Sequence, residues 1–94
     1  MKICEFSSRV ITGMVPDLSK DEMLNNVSNN IKALRKDKEQ TQAQLANALG
    51  LSKAVINNYE NTISLPSLYN LYLMAKYFEV PIDYFLHECF EKGV

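Results

Sequence analysis

Long apolar runs are missing from this 94-residue chain. No stretch approaches the roughly 18 residues that a membrane span needs, so no membrane partner is expected. Glycine and proline are scarce, with three of each, which leaves little room for long irregular stretches mid-chain. The two cysteines, Cys4 and Cys89, lie near opposite ends without any Cys-x-x-Cys or Cys/His spacing, so a metal is not expected. Two free thiols are the simple reading in a reducing compartment. There is one histidine, His87, and no Gly-rich phosphate loop or inferable pair of carboxylates. An enzyme is therefore not expected, and neither catalytic residues nor a cofactor can be named. The first residues, Met1-Lys2-Ile3-Cys4-Glu5-Phe6, lack the apolar core of a signal peptide, so a cytoplasmic location is expected.

An excess of positive charge is missing too. The net charge is −1, whereas nucleic-acid-binding domains are usually basic. The balance is uneven along the chain: residues 1–40 carry seven basic and six acidic side chains, and residues 41–94 three and five. The one dense basic stretch is Lys32, Arg35, Lys36 and Lys38. Any binding to phosphates should be modest and easily lost to salt.

What is present is helical pattern. With 47% hydrophobic and 22% charged residues, the composition suits one compact domain. We expect that domain over residues 19–94, with residues 1–18 as an extension. Residues 1–17 are apolar in patches and broken at Gly13 and Pro16, which fits a strand, a docking arm or a disordered tail equally. Ser19-Lys20-Asp21-Glu22 is a capping box, flanked by Leu18 and Met23 as a hydrophobic staple. Leu24, Val27, Ile31 and Leu34 then recur at helical period. Ser28 is an alternative start, because Asn25, Asn26, Asn29 and Asn30 weaken the first half. Thr41-Gln42-Ala43-Gln44 is a second capping box, and Gly50 stops that helix as a left-handed cap. Ser52 caps a third helix over 54–60. Pro66 and Ser67 open a fourth over 68–79, with Leu68, Leu71, Ala75 and Phe78 as its core face. Pro81 opens a fifth, in which Ile82, Phe85, Leu86, Cys89 and Phe90 make one apolar face and His87 lies on the outside. The expected fold is an all-α bundle of five helices.

Residues 42–61 meet the geometric needs of a helix-turn-helix. Two helices that cross steeply need a small residue at the crossing, and Ala46 supplies it. The short turn needs a residue that accepts positive φ, and Gly50 does. Leu45, Leu49, Leu51, Ile56 and Tyr59 would fill the space behind. With Arg35, Thr41-Gln42, Leu45-Ala46, Gly50-Leu51-Ser52, Ile56, Tyr59-Glu60-Asn61, Leu65-Pro66-Ser67-Leu68, Ala75 and Val80-Pro81, residues 28–86 resemble the Cro/lambda-repressor (XRE-type) helix-turn-helix family.

That resemblance implies a five-helix, lambda-repressor-like domain that binds double-stranded DNA as a homodimer, with its third helix in the major groove. By matching position, Lys53, Ala54 and Asn58 would face base edges, with Asn57 beside them. Gln42 and Asn61 would contact phosphate. Ser52, Lys32 and Lys36 are further phosphate candidates, at a helix N-terminus and in the basic stretch. Arg35 and Glu60 match a buried ion pair that joins the first helix to the third. Asparagine suits adenine, lysine suits guanine, and the alanine methyl suits the thymine methyl.

The chain departs from the family pattern at Thr62, where glycine often stands, and in having one basic residue on the recognition helix. It departs again at Tyr69, Leu73 and Tyr77, where polar or small residues are usual. Those three would form a second apolar stripe, either an interface or a seat for the N-terminal segment. The expected function is a sequence-specific transcriptional regulator, a repressor on a two-fold operator, of the small kind found in phages and mobile elements. The alternative is a protein-interaction module, such as an antitoxin or antirepressor, that uses the same scaffold to bind a protein partner.

Overall fold

The computed structural model describes residues 18–88. They form α1 (Lys20–Asp37), α2 (Gln42–Leu49), α3 (Lys53–Glu60) and α4 (Leu68–Phe78), followed by a 3-10 segment, Ile82–Leu86. No strand occurs among the described residues, so the all-α class holds. Residues 1–17 of the N-terminal extension and the two cysteines lie outside the described residues.

The first helix takes the long form. Ser19 accepts the Glu22 amide hydrogen and Glu22 accepts that of Ser19, at 3.1 and 2.9 Å. Two of the asparagines that weaken the local propensity, Asn26 and Asn30, have tertiary partners. Asn26 donates to the Leu86 carbonyl at 2.8 Å. Asn30, fully buried, donates to the carbonyls of Tyr84, Phe85 and His87 at 3.3, 3.1 and 2.8 Å. Ser28 donates to the Tyr59 carbonyl. Tertiary bonds therefore outweigh a propensity deficit of a few tenths of a kcal/mol per residue.

The same bonds correct the helix count. The segment after Pro81 is not a fifth α-helix but a 3-10 helix of five residues. Four successive carbonyls, from Tyr84 to His87, accept side-chain amides of α1. An α-helix continuing to Cys89 and Phe90 would need those carbonyls for its own ladder. His87 follows this segment as a half-buried residue, not as the outer face of a helix.

Ile31, Leu45, Ile56, Met74 and Phe85, one from each element, are completely buried and form the centre of the core. Ala46 is buried where α2 meets α3, as expected, and Tyr59 joins the core. Leu49 and Leu51 pack against it from the margin. In α4 the core face is Leu71, Met74, Ala75 and Phe78, at i, i+3, i+4 and i+7. Leu68, expected there, is 76% exposed. It lies in the first turn, off the axis of that stripe, whereas Met74 falls within it.

Arg35 and Glu60 join α1 to the last turn of α3. Arg35 Nε and Nη2 donate to the two Glu60 carboxylate oxygens at 2.6 and 2.9 Å, and Nη1 donates to the Gln40 carbonyl at 2.7 Å. The Glu60 side chain is only 1% exposed. The hydrogen bond to Glu60 outweighs desolvation and holds the guanidinium pKa above its ordinary value. Both carboxylate oxygens and all three guanidinium nitrogens are thus engaged.

All four helices end on a left-handed residue: Glu39 (φ 58°), Gly50 (φ 73°), Thr62 (φ 58°) and Glu79 (φ 61°). In each case the following amide reaches back five residues: Gln40 to Arg35, Leu51 to Ala46, Ile63 to Asn58 and Val80 to Ala75, at 3.2, 2.8, 2.9 and 3.0 Å. These are Schellman-type closures. Gly50 alone among the four residues adopts this conformation without strain, while each side chain costs about 1–2 kcal/mol there. The cost is greatest for β-branched Thr62.

These helix ends and the ion pair set how substitutions should act on stability. Thr62→Gly, Glu39→Gly and Glu79→Gly should each raise stability by about 0.5–1 kcal/mol after glycine's own entropy cost. Thermal melting should show a rise of a few degrees, largest for Thr62→Gly. Gly50→Ala should lower stability by about 1 kcal/mol through backbone strain alone, since a Cβ there meets nothing within 4 Å. Arg35→Leu strands the Glu60 carboxylate and should cost about 3–5 kcal/mol in urea denaturation. Lys36→Leu, its exposed neighbour, should change little.

Candidate nucleic-acid interface

The outward surface of α3 starts from its cap. Ser52 Oγ accepts the Val55 amide hydrogen at 3.2 Å, which opens the helix and leaves Lys53 and Ala54 in the first turn. The buried residues of α3 are Ile56, Tyr59 and Glu60. At about 100° per residue, Lys53, Asn57, Ala54 and Asn58 follow one another around the remaining side of the helix, and the first three are exposed. Asn58 falls at the edge of this face and is half-buried. Its backbone carbonyl receives the amides of Ile63 and Ser64 at 2.9 and 3.4 Å and so anchors the loop after α3. The expected base-facing set thus comes together, with Asn57 rather than Asn58 near its middle.

Gln42, the first residue of α2, stands against this face. Its Nε2 donates to Glu60 Oε1 at 3.1 Å, and its Oε1 accepts from Asn57 Nδ2 at 3.2 Å. One further Nε2 hydrogen remains for an outside acceptor. The Thr41 capping box holds the start of α2, with Gln44 accepting the Thr41 amide hydrogen at 2.8 Å. The side chain of Asn61 donates to the Asn57 carbonyl at 2.9 Å, which fixes it at the far end of α3. Gln42, Ser52 and Asn61 therefore flank the exposed face at both ends of α3 and at the N-terminus of α2. Lys32 and Lys36 share the outer face of α1, one turn apart. Among the described residues, no hydrogen bond or ion pair links them to α2 or α3. The ties from Glu60 to Gln42 and from Gln42 to Asn57 were not legible in the sequence, because the residues are 18 and 15 positions apart.

The three residues of the expected stripe on α4 do not share one environment. Tyr69 is 66% exposed. Leu73 is half-buried. Tyr77 packs against the core, accepts a hydrogen bond from Gln40 Nε2 at 2.8 Å, and carries Lys38 Nζ 5.0 Å from its ring centre. The α1–α2 turn thus claims Tyr77. The large exposed apolar residues among those described are Ile63, Leu65, Leu68, Tyr69 and Tyr72. They form a run through the α3–α4 loop and the first turns of α4. Among the described residues no group of His, Cys, Asp and Glu is placed to hold a metal ion, and no helix is long and apolar enough to cross a membrane.

The fold recurs in solved structures. The SOS-response transcriptional repressor LexA of Eubacterium rectale superposes with a TM-score of 0.69 at 22% identity, over 82% of this chain and 79% of that one. The P22 c2 repressor, solved in complex with a synthetic operator, gives 0.61 at 30% identity, over 64% of this chain and 91% of its own. Hydroxypropylphosphonic acid epoxidase of S. wedmorenis gives 0.66 at 19% identity, over 72% of this chain but 36% of the enzyme. At their low identity the first and third likenesses establish the fold alone. No curated protein matches the chain in sequence. The helix-turn-helix family model HTH_3 matches residues 31–85, more than half of the chain. The chain belongs to this family, the Cro/lambda-repressor (XRE-type) helix-turn-helix proteins.

Proposed function

We propose that this protein is a sequence-specific DNA-binding transcriptional regulator, a repressor that occupies a two-fold operator as a homodimer. The observation that carries the reading is the exposed α3 face of Lys53, Ala54 and Asn57 beside the N-terminus of α2. It stands in the fold of a repressor solved on its operator. α3 enters the major groove with these residues and Asn58 toward base edges. Gln42, Ser52 and Asn61 grip the flanking phosphates, helped by the two helix N-termini. Lys32 and Lys36 add longer-range attraction to the backbone. We assign the chain no catalytic chemistry.

The homodimer has a physical motive. Lys53 is the only basic residue on α3, so one copy supplies few phosphate contacts. Joining two copies makes the second binding event intramolecular and raises affinity without new contacts. The surface we assign to the second copy is the run from Ile63 to Tyr72, including Tyr69 and edged by Leu73, with Tyr77 excluded because its hydroxyl is engaged. A two-fold axis through such a patch sets apolar against apolar on both partners. The same patch and the net charge of −1 favour one other reading, a protein-interaction module that binds a different chain there.

Selection from a random-duplex pool should enrich a two-fold site with half-sites about one helical turn apart. Its affinity should fall linearly with log salt, and Lys53→Ala should weaken it at least several-fold and reduce that slope. No enrichment at low salt would overturn the regulator reading. Sedimentation should show a dimer that Leu68→Glu or Tyr69→Glu converts to monomer, with the fold intact because both positions are exposed. A wild-type monomer both free and on the enriched site would leave the protein-interaction module as the reading of the patch.

A further inference from the structure

The buried carboxylate of Glu60 and the exposed amide of Asn57 are joined through Gln42, and the direction of each bond is determined by chemistry. Glu60, paired with Arg35 through both oxygens, can only accept. The Gln42 amide must therefore turn its nitrogen toward Glu60, as observed at 3.1 Å. Its oxygen is then left facing Asn57, whose nitrogen turns toward it at 3.2 Å. The opposite setting of Asn57 would place two carbonyl oxygens against each other. The Asn57 oxygen is thus held away from Gln42, on the exposed face of α3.

We propose that Gln42 is a positioning residue that transmits the polarity of the Arg35–Glu60 pair to Asn57, and that Asn57, so held, reads an exocyclic amino group in the major groove. This deepens the DNA-binding reading above and rests on it. The amines available there are adenine N6 and cytosine N4, both donors to a carbonyl oxygen. The arrangement makes Asn57 a pre-set acceptor rather than an amide free to present either end, so less ordering is required on binding. It also gives Gln42 a role beyond its phosphate contact. Replacing it should alter which base is preferred as well as how tightly DNA is held.

The relay can be tested on the full chain without DNA. Gln42→Met keeps the side-chain length and leaves Arg35–Glu60 paired. The Asn57 side-chain amide, followed by NMR relaxation, should be ordered in the wild type and mobile in Gln42→Met, with the backbone spectrum otherwise retained. Equal mobility in both proteins overturns the relay.

The reading of the amine is tested on the selected duplex, at the base pair whose preference Asn57→Ala erases. Replacing adenine by purine, or cytosine by pyrimidin-2-one, removes the amine at that pair. It should weaken wild-type binding about tenfold, leave Asn57→Ala binding unchanged, and have a smaller effect on Gln42→Met. Full wild-type affinity for the amine-free duplex overturns the proposal, as does an Asn57→Ala protein with unaltered preferences. If no duplex is enriched at all, the DNA-binding reading fails and the amine reading with it, while the NMR experiment still decides whether the relay exists.

Discussion

The bidentate contact of Arg35 with Glu60 is where three parts of the molecule meet. It ties the last turn of α1 to the last turn of α3, and the third guanidinium nitrogen holds the Gln40 carbonyl in the turn that leads into α2. With Glu60 almost wholly buried, the arrangement tolerates the loss of neither partner, since a stranded charge in that position is far costlier than the pair is favourable. The same carboxylate also receives the amide of Gln42. The orientation of the exposed α3 face is therefore coupled to a buried electrostatic contact as well as to apolar packing.

A second set of polar contacts works from the middle of α1. Asn26 and Asn30, one turn apart, fasten the segment after α4 by its backbone carbonyls. That segment brings Phe85 into the centre of the core. The closing element of the bundle is thus held by side-chain amides from a distant helix rather than by its own helical ladder. Between these two anchor regions the helices turn abruptly on left-handed residues, only one of which is glycine. Backbone strain at Glu39, Thr62 and Glu79 is the cost of connections this short. The packing of the apolar faces of α1, α2, α3 and α4 must offset it.

The helix starts and the core of the helix-turn-helix were legible because they depend on local chemistry. Ser19 with Glu22, and Thr41 with Gln44, act across one turn, and Gly50 acts through its own φ. Leu45, Ile56 and Tyr59 follow a helical period and are buried accordingly. The exposed face of α3 was legible in part: Lys53, Ala54 and Asn57 emerge together, whereas Asn58 lies at its edge. What misled was periodicity without context. The apolar pattern after Pro81 suits an α-helix, and nothing nearby in the sequence signals that Asn26 and Asn30 will take its carbonyls. Tyr77 reads as part of an outer stripe until Gln40 and Lys38 are seen to reach it. The exposure of Leu68 depends on which elements α4 packs against.

By itself, then, the sequence determined where the helices begin, where α2 must turn, and which family the chain resembles, because caps, a left-handed glycine and apolar period act over a few residues. Only the tertiary structure decided the course of the final segment, the true core face of α4, the apolar run from Ile63 to Tyr72, and the direction of the Glu60–Gln42–Asn57 hydrogen bonds. Those features depend on groups 15 to 60 positions apart. A hydrogen bond between such groups acquires its donor, its acceptor and its direction only when folding has brought the elements together.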